Sequence, residues 1–246
     1  MGAIRRFLDR LRKRSGERGY TCDACGKEVF SYPQQRFCES CDGKMVRVER
    51  PCPVCGRQTI AEGVCLSCKS DLPKFDCGVS PFIYRSETAL LINRLKNGKP
   101  RLAYYFGEKM ADCFCQTQEK RAIMLVPVPM TEEKLRERGY NQAERLAEVV
   151  FERLLGQGFE TELIVDVLEK RRETALQKTK NFYERKENVA GAFFVHKRKA
   201  CRGKTVVLVD DVMTTGATGS ACAEKLKKAG AERVIFLTAT DLEELK

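Results

Sequence analysis

The sequence predicts an α/β fold, a parallel sheet flanked by helices, behind a cysteine-rich segment that metal must hold together. Three observations carry this. Runs of β-branched and aliphatic residues, led by Val206, Val207, Leu208 and Val209, alternate with helical periodicity through the C-terminal two-thirds of the chain. That order builds strands buried on both faces. Two acids, Asp210 and Asp211, then lead into Thr214, Thr215, Gly216, Ala217 and Thr218, where a helical pattern opens. Eight of the 13 cysteines fall in four C-x-x-C pairs within residues 22–68.

The pairs are Cys22/Cys25, Cys38/Cys41, Cys52/Cys55 and Cys65/Cys68, and Gly26 and Gly56 directly follow two of them. A segment this short with few large apolar side chains cannot build its own core, so metal substitutes for one. The single histidine, His196, is far away in sequence. Ligation is therefore all-sulfur, and four thiolates close a structural Zn²⁺ shell with no open position. Pairing in sequence, 22/25 with 38/41 and 52/55 with 65/68, predicts two consecutive zinc ribbons; the alternative is an interleaved pairing. Arg36, Phe37, Lys44, Arg47, Arg50 and Arg57 offer these ribbons charge and one aromatic for nucleic acid, or are simply solvated.

A chain of 246 residues suits one medium domain with a small appendage. The expected boundaries are 1–19 for a basic amphipathic helix, 20–72 for the double zinc ribbon and 73–246 for the sheet domain. No apolar run approaches the ~20 residues of a membrane span, and arginines interrupt anything resembling a signal peptide. A cytoplasmic protein is expected. The net charge of +11 concentrates in residues 5–18 and 170–186, which suits a polyanionic partner or a solvated surface. In residues 2–14, Ile4, Phe7, Leu8 and Leu11 share one helical face. This helix reads as a membrane-surface foot, a docking helix or a helix packed on its own protein.

In order, the elements are a strand at 78–84 and a helix at 86–97 capped by Ser86, with Arg94, Lys96 and Lys99 near its negative end. A helix at 102–116 carries Cys113 and Cys115 as ordinary thiols. A buried strand at 122–128 ends at Pro127 and Pro129. A loop with Lys134, Arg136 and Arg138 precedes a helix from Asn141, which with Glu144 resembles a capping box, to about 155. A strand at 163–168 completes a βαβ unit. The basic stretch 169–189 is expected to close over a polyanionic ligand or to stay a bare surface loop. A strand at 191–195, the strand at 206–209, the helix ending before Gly230 and a strand at 233–239 complete the domain.

The chemistry converges on residues 206–218. A helix N-terminus with unpaired amides and a partial positive charge holds phosphate, and Gly216 allows close backbone approach. Asp210 and Asp211 accept hydrogen bonds from neighbouring sugar hydroxyls. The plainer alternative is a buried strand whose acids cap the next helix. This stretch, VVLVDDVMTTGAT, resembles the 5-phosphoribosyl 1-pyrophosphate (PRPP) motif of type I phosphoribosyltransferases. The resemblance implies that the acids hold the ribose and the Thr214 to Thr218 loop wraps its 5′-phosphate. Mg²⁺ is expected with the pyrophosphate. Met213 stands where some purine-salvage members of that superfamily carry an acid that works on the base.

The chain as a whole resembles the competence protein F (ComF) family. The carrying residues are the four C-x-x-C pairs, Leu95-Lys96-Asn97-Gly98, Val126-Pro127-Val128-Pro129, the run from Arg136 through Gln142, Arg172-Glu173-Thr174 with Gln177, the run from Arg185 to Phe193, and the site itself. The resemblance implies a cytoplasmic role in DNA uptake and natural transformation, with single-stranded DNA, PRPP or a nucleotide, and a DNA helicase/translocase as partners, and with peripheral association at the inner membrane face. The first functional reading is thus a nucleic-acid-handling accessory. The alternative is an active phosphoribosyltransferase using Asp210, Asp211 and Thr214 to Thr218, with Arg138 and Lys170 to Arg172 as weaker candidates. A zinc-ribbon regulator whose pocket senses PRPP is a third.

Overall fold

The computed structural model describes residues 21–31, 33–117, 122–171 and 191–243. The expected helix at 2–14 and most of the basic stretch 169–189 lie outside these. The chain divides into two compact units, Met1–Met45 and Val46–Lys246. The boundary falls between the second and third cysteine pairs.

In the smaller unit, Cys22 N–H donates to Lys27 O at 2.7 Å and Gly26 N–H to Cys22 O at 2.8 Å, closing a knuckle around Cys25. Gly26 takes φ +79, a left-handed conformation that a side chain would strain. Cys38 is the N-cap of a single helical turn, α1 (Glu39–Asp42), which carries Cys41. Phe37 and Val29 are buried beside the thiols, at 2% and 4% exposure. The larger unit repeats this architecture at its start. Cys52 N–H donates to Arg57 O at 2.8 Å, Gly56 N–H to Cys52 O at 2.9 Å, and Gly56 has φ +76. Helix α2 (Leu66–Ser70) then carries Cys68.

The sheet of the larger unit contains β1 (Cys77–Val79), β2 (Phe82–Ile83), β3 (Ile123–Pro127), β4 (Thr161–Leu163), β7 (Thr205–Met213) and β8 (Arg233–Asp241). Its order is β1-β8-β7-β3-β4, β2 continues along β8 beyond β1, and every pairing is parallel. The helices are α3 (Ser86–Lys96), α4 (Leu102–Thr117), α5 (Glu132–Arg138), α6 (Gln142–Gly156), the short α7 (Arg198–Cys201) and α8 (Ala217–Lys228). Side chains alternate across each strand. Met124, Val126, Val206, Leu208, Val234 and Phe236 form one core with α8 and the second set of cysteines. The other residues of β3, β7 and β8 face α4 and α6, which pack on the sheet from the opposite side. That packing is close. A Cβ on Gly107 of α4 would lie 2.6 Å from Val149 Cβ of α6.

Several expected elements shift for local reasons. The strand at 78–84 is two short strands, because Pro81 has no N–H for a ladder. Ser86 is the first residue of α3 with φ +51, and Arg85 is its N-cap. The loop with Lys134, Arg136 and Arg138 contains helix α5. It starts where Thr131 accepts from Lys134 N at 3.4 Å and stops at Gly139, φ +78. Asn141 caps α6 as expected, accepting from Ala143 N at 3.0 Å. The strand at 163–168 divides in two. β4 ends at Leu163, and β5 (Leu168–Lys170) leaves the sheet to pair antiparallel with β6 (Phe193–Val195). No helix among the described residues is long and apolar enough to cross a membrane.

Candidate functional site

Strand β7 carries both acids inside the sheet. Pairing with β8 does not end at Val209 but continues through Asp210↔Thr238, Val212↔Thr240 and Met213↔Asp241. Threonines make this possible, because β-branching suits a strand while the hydroxyl finds a local acceptor. Thr240 Oγ1 donates to Asp211 O at 3.1 Å. Asp210 and Asp211 are 9% and 4% exposed. Alternation places Asp210 on the face of Leu208 and α8, and Asp211 on the opposite face, where Lys96 Nζ meets its Oδ2 at 3.1 Å.

The two faces differ electrostatically. Burial first, and then the neighbouring Asp211 charge, push the Asp210 carboxyl up to about 8. Lys96 and the Asp211 N–H, which donates to Asp210 Oδ1 at 2.8 Å, pull the other way without restoring it. Burial thus favours the neutral form of Asp210, which can donate or accept towards a hydroxyl. Asp211 is held by a cation.

Beyond Met213 the chain turns over Thr214, Thr215 and Gly216 into α8. Thr214 is exposed, and Thr215, Gly216 and Thr218 are half-buried. Gly216 is the N-cap, left-handed at φ 76, and brings no side chain to cover the first turn. Thr215 Oγ1 accepts from Ala217 N at 3.3 Å. The result is a 12-residue helix whose positive end opens beside two threonine hydroxyls. Gly219 packs this helix on the sheet so tightly that a Cβ there would come within 2.5 Å of the Phe236 ring.

The loop is braced from below. Arg57 Nη2 donates to Thr214 O at 2.6 Å, Lys74 N–H to Ser220 Oγ at 3.3 Å, and the Phe75 ring lies 3.8 Å from where a Gly216 Cβ would stand. Of the other predicted residues, Arg138 ends α5 and its guanidinium donates to Gln142 Oε1. Lys170 sits on β5 with its ammonium 5.9 Å from the Phe193 ring centroid, and Arg171 follows it. Two residues of the Arg136 to Gln142 run hold neighbouring elements in place. Tyr140 OH donates to Leu95 O and accepts from Gly98 N at 3.1 Å, pinning the end of α3 that delivers Lys96. Asn141 Nδ2 holds Val128 O at 3.0 Å at the mouth of β3.

Three residues at this edge escaped the sequence reading. Lys96 read as a helix-end charge and Arg57 as a possible nucleic-acid contact; Asp241 carried no signal. Asp241 is fully buried, accepts from Gln58 N at 3.4 Å, and is pushed up to about 7 by burial. Position alone, one strand over from Met213, gives it significance.

The eight paired cysteines gather into two sets, Cys22, Cys25, Cys38, Cys41 and Cys52, Cys55, Cys65, Cys68, each with its sulfurs within 4.8 Å of one another. Zn–S bonds of ~2.3 Å in a tetrahedron require sulfurs about 3.8 Å apart. Cys25 and Cys38 lie at 3.8 Å, and Cys55 and Cys65 at 3.7 Å. Backbone amides already point at the sulfurs, Cys38 N to Cys22 Sγ at 3.3 Å and Cys65 N to Cys52 Sγ at 3.4 Å. Burial pushes the Cys52 thiol up, but such amides outweigh it and bring the thiol down to about 7. Both sets fit a structural Zn²⁺, in the sequential pairing.

Residues 137–244 match the phosphoribosyl transferase domain family. Competence protein ComFC of Streptococcus pneumoniae is 30% identical over 206 residues, 80% of this chain and 84% of that protein. Competence protein ComFC of Bacillus subtilis is 27% identical over 206 residues, 80% of each chain. DNA utilization protein YhgH of Salmonella typhimurium is 28% identical over 189 residues, 74% of this chain and 80% of that one. With its two Cys₄ clusters, parallel sheet and phosphoribosyl motif, the chain belongs to the ComF family of phosphoribosyltransferase-like proteins.

Proposed function

We propose that this protein is a cytoplasmic accessory of DNA uptake that binds a phosphoribosyl group, as PRPP with Mg²⁺ or as a nucleotide, and single-stranded DNA. The observation that carries the reading is the start of α8, where the N-cap Gly216 brings no capping side chain, flanked by Thr215 and Thr218 and following Asp210 and Asp211 of β7. Helix-end amides recognise the 5′-phosphate. Asp210, whose carboxyl burial pushes up, and the Lys96-paired Asp211 exchange hydrogen bonds with sugar hydroxyls. Mg²⁺, when bound with PRPP, would neutralise the pyrophosphate. The names of the relatives, competence and DNA utilization proteins, support the pathway.

For the single strand, the supporting feature is Phe194 on β6. It is 37% exposed, with the Arg171 guanidinium 4.1 Å and the Lys225 ammonium 5.8 Å from its ring centroid. Bases stack on aromatic rings and guanidinium planes, at ~1–3 kcal/mol per base, while the cations track the backbone. The ribbon residues offer less. Phe37 is buried, Arg36 reaches Asp23 at 3.5 Å and Arg57 turns inward.

Turnover as a phosphoribosyltransferase is the weaker reading. Met213 stands where some purine-salvage phosphoribosyltransferases carry an acid, and Asp241, its partner in register, is sealed from solvent. Titration of the protein with PRPP and Mg²⁺, then with an oligonucleotide at two salt concentrations, tests the proposal. Saturable PRPP binding and salt-dependent DNA binding are expected. Nucleotide formed from PRPP and a base would favour the enzyme, and no binding of either ligand would overturn both readings.

A further inference from the structure

The second cysteine knuckle is packed against the edge strand β1. Its contacts are of backbone on backbone. Gly78 N–H of β1 donates to Val54 O at 2.9 Å. A Cβ on Gly78 would lie 2.0 Å from Cys55 O, and one on Gly56 would lie 2.5 Å from Gly78 O. All four thiols are buried in the same core as α8 and Phe236. Gln58 N–H reaches Asp241 Oδ1 at 3.4 Å, at the end of β8.

Arg57 joins this knuckle to the loop. It follows the Cys55-Gly56 turn and is only 9% exposed. Nη1 lies 3.5 Å from Ser67 Oγ, inside the Cys65-x-x-Cys68 turn, and Nη2 donates to Thr214 O at 2.6 Å. One guanidinium therefore spans the metal knuckle and the first residue of the phosphate loop. Because the peptide is planar and trans, holding the Thr214 carbonyl towards the knuckle turns the Thr215 N–H the opposite way. An arginine does this as a planar fork; a lysine offers one ammonium without that geometry.

We infer that Arg57 is a positioning residue for the phosphate loop, and that the second Cys₄ knuckle, through Arg57, sets the affinity of the loop for a 5′-phosphate. This rests on the phosphoribosyl reading of the site. The knuckle is then a fixed wall of that site rather than a separate recognition module. Loss of its metal would weaken ligand binding without touching a ligand-contacting residue.

The test is calorimetric titration of the full chain with ribose 5-phosphate and with PRPP and Mg²⁺, for wild type, Arg57→Met, Arg57→Lys and Arg50→Met. Zinc per chain and melting temperature are measured on each sample. Arg50 is an exposed arginine on the same knuckle. Losing a buried charge-assisted hydrogen bond predicts affinity lower by on the order of tenfold in both Arg57 variants, with zinc retained and Arg50→Met unchanged. Arg57→Lys keeps the charge, so its failure to rescue separates positioning from simple attraction. Wild-type binding matched by zinc-replete Arg57→Met overturns the inference alone. Wild type that binds neither ligand overturns the phosphoribosyl reading and the inference with it. Should Arg57→Met fail to fold, amide hydrogen exchange of residues 214–218 in Arg57→Lys decides. Faster exchange there supports the positioning role, and exchange equal to wild type contradicts it.

Discussion

Replacing Lys96 with methionine should cost the protein about 3 kcal/mol. The ammonium lies 3.1 Å from Asp211 Oδ2, with side-chain exposures of 25% and 6%. Breaking a buried ion pair by removing one partner costs ~3–5 kcal/mol, because the remaining charge stays desolvated. The partial exposure of Lys96 places the loss at the lower end. Lys96 also pulls down the neighbouring Asp210 carboxyl on the other face of β7, so its loss pushes that group up further. In a unit of this size ~1 kcal/mol moves the midpoint by roughly 2–4 °C, so a drop of about 6–12 °C is expected. Differential scanning calorimetry at pH 7 measures it, with Lys99→Met as the exposed control, expected within ~0.5 kcal/mol of wild type. A Lys96→Met melt within ~2 °C of wild type would refute the idea that this lysine neutralises the acidic pair.

Further outcomes follow from the same geometry. In Gly78→Ala the new Cβ would meet Cys55 O at 2.0 Å and must push the knuckle more than ~1 Å from β1, breaking the Gly78–Val54 hydrogen bond. About 2–4 kcal/mol of destabilisation is expected, with faster loss of one zinc to a coloured chelator; unchanged zinc retention would contradict the packing. Glu148 and Asp241, both pushed up to about 7 by burial, and Asp210, pushed up to about 8, bind protons more tightly folded than unfolded. Their combined effect is a stability that falls as pH rises from ~4 to ~8, so a melt at pH 5.5 should lie above one at pH 8.5. A melting temperature that rises across that range would show these carboxyls to be better solvated than their burial implies.

Much of this was legible in the sequence because the physics was local. Four C-x-x-C pairs with glycines behind two of them impose knuckles whatever surrounds them, and the run from Val206 to Val209 with Gly216 behind it imposes strand and turn. Asn141 capped its helix for the same reason. What could not be read depended on contacts across the chain. The extension of β7 through Met213 needs Thr238 and Thr240 on a strand that arrives 20-odd residues later. Lys96 lies more than 100 residues from Asp211, and Arg57 is 157 residues from Thr214. Both look like ordinary surface cations until the fold buries them. The departure of β5 from the sheet to pair with β6 is likewise a choice between two partners for one apolar run, which periodicity alone does not rank.

The central claim is that the amides at the start of α8 receive a phosphoryl group. The most direct measurement is a titration of ribose 5-phosphate into isotopically labelled protein, following the backbone amide resonances of Thr215, Gly216, Ala217 and Thr218. Saturable shifts at these four positions, larger than those elsewhere in the chain and missing when ribose alone is added, are the predicted result. Shifts confined to other surfaces, or none at millimolar ligand, would contradict it.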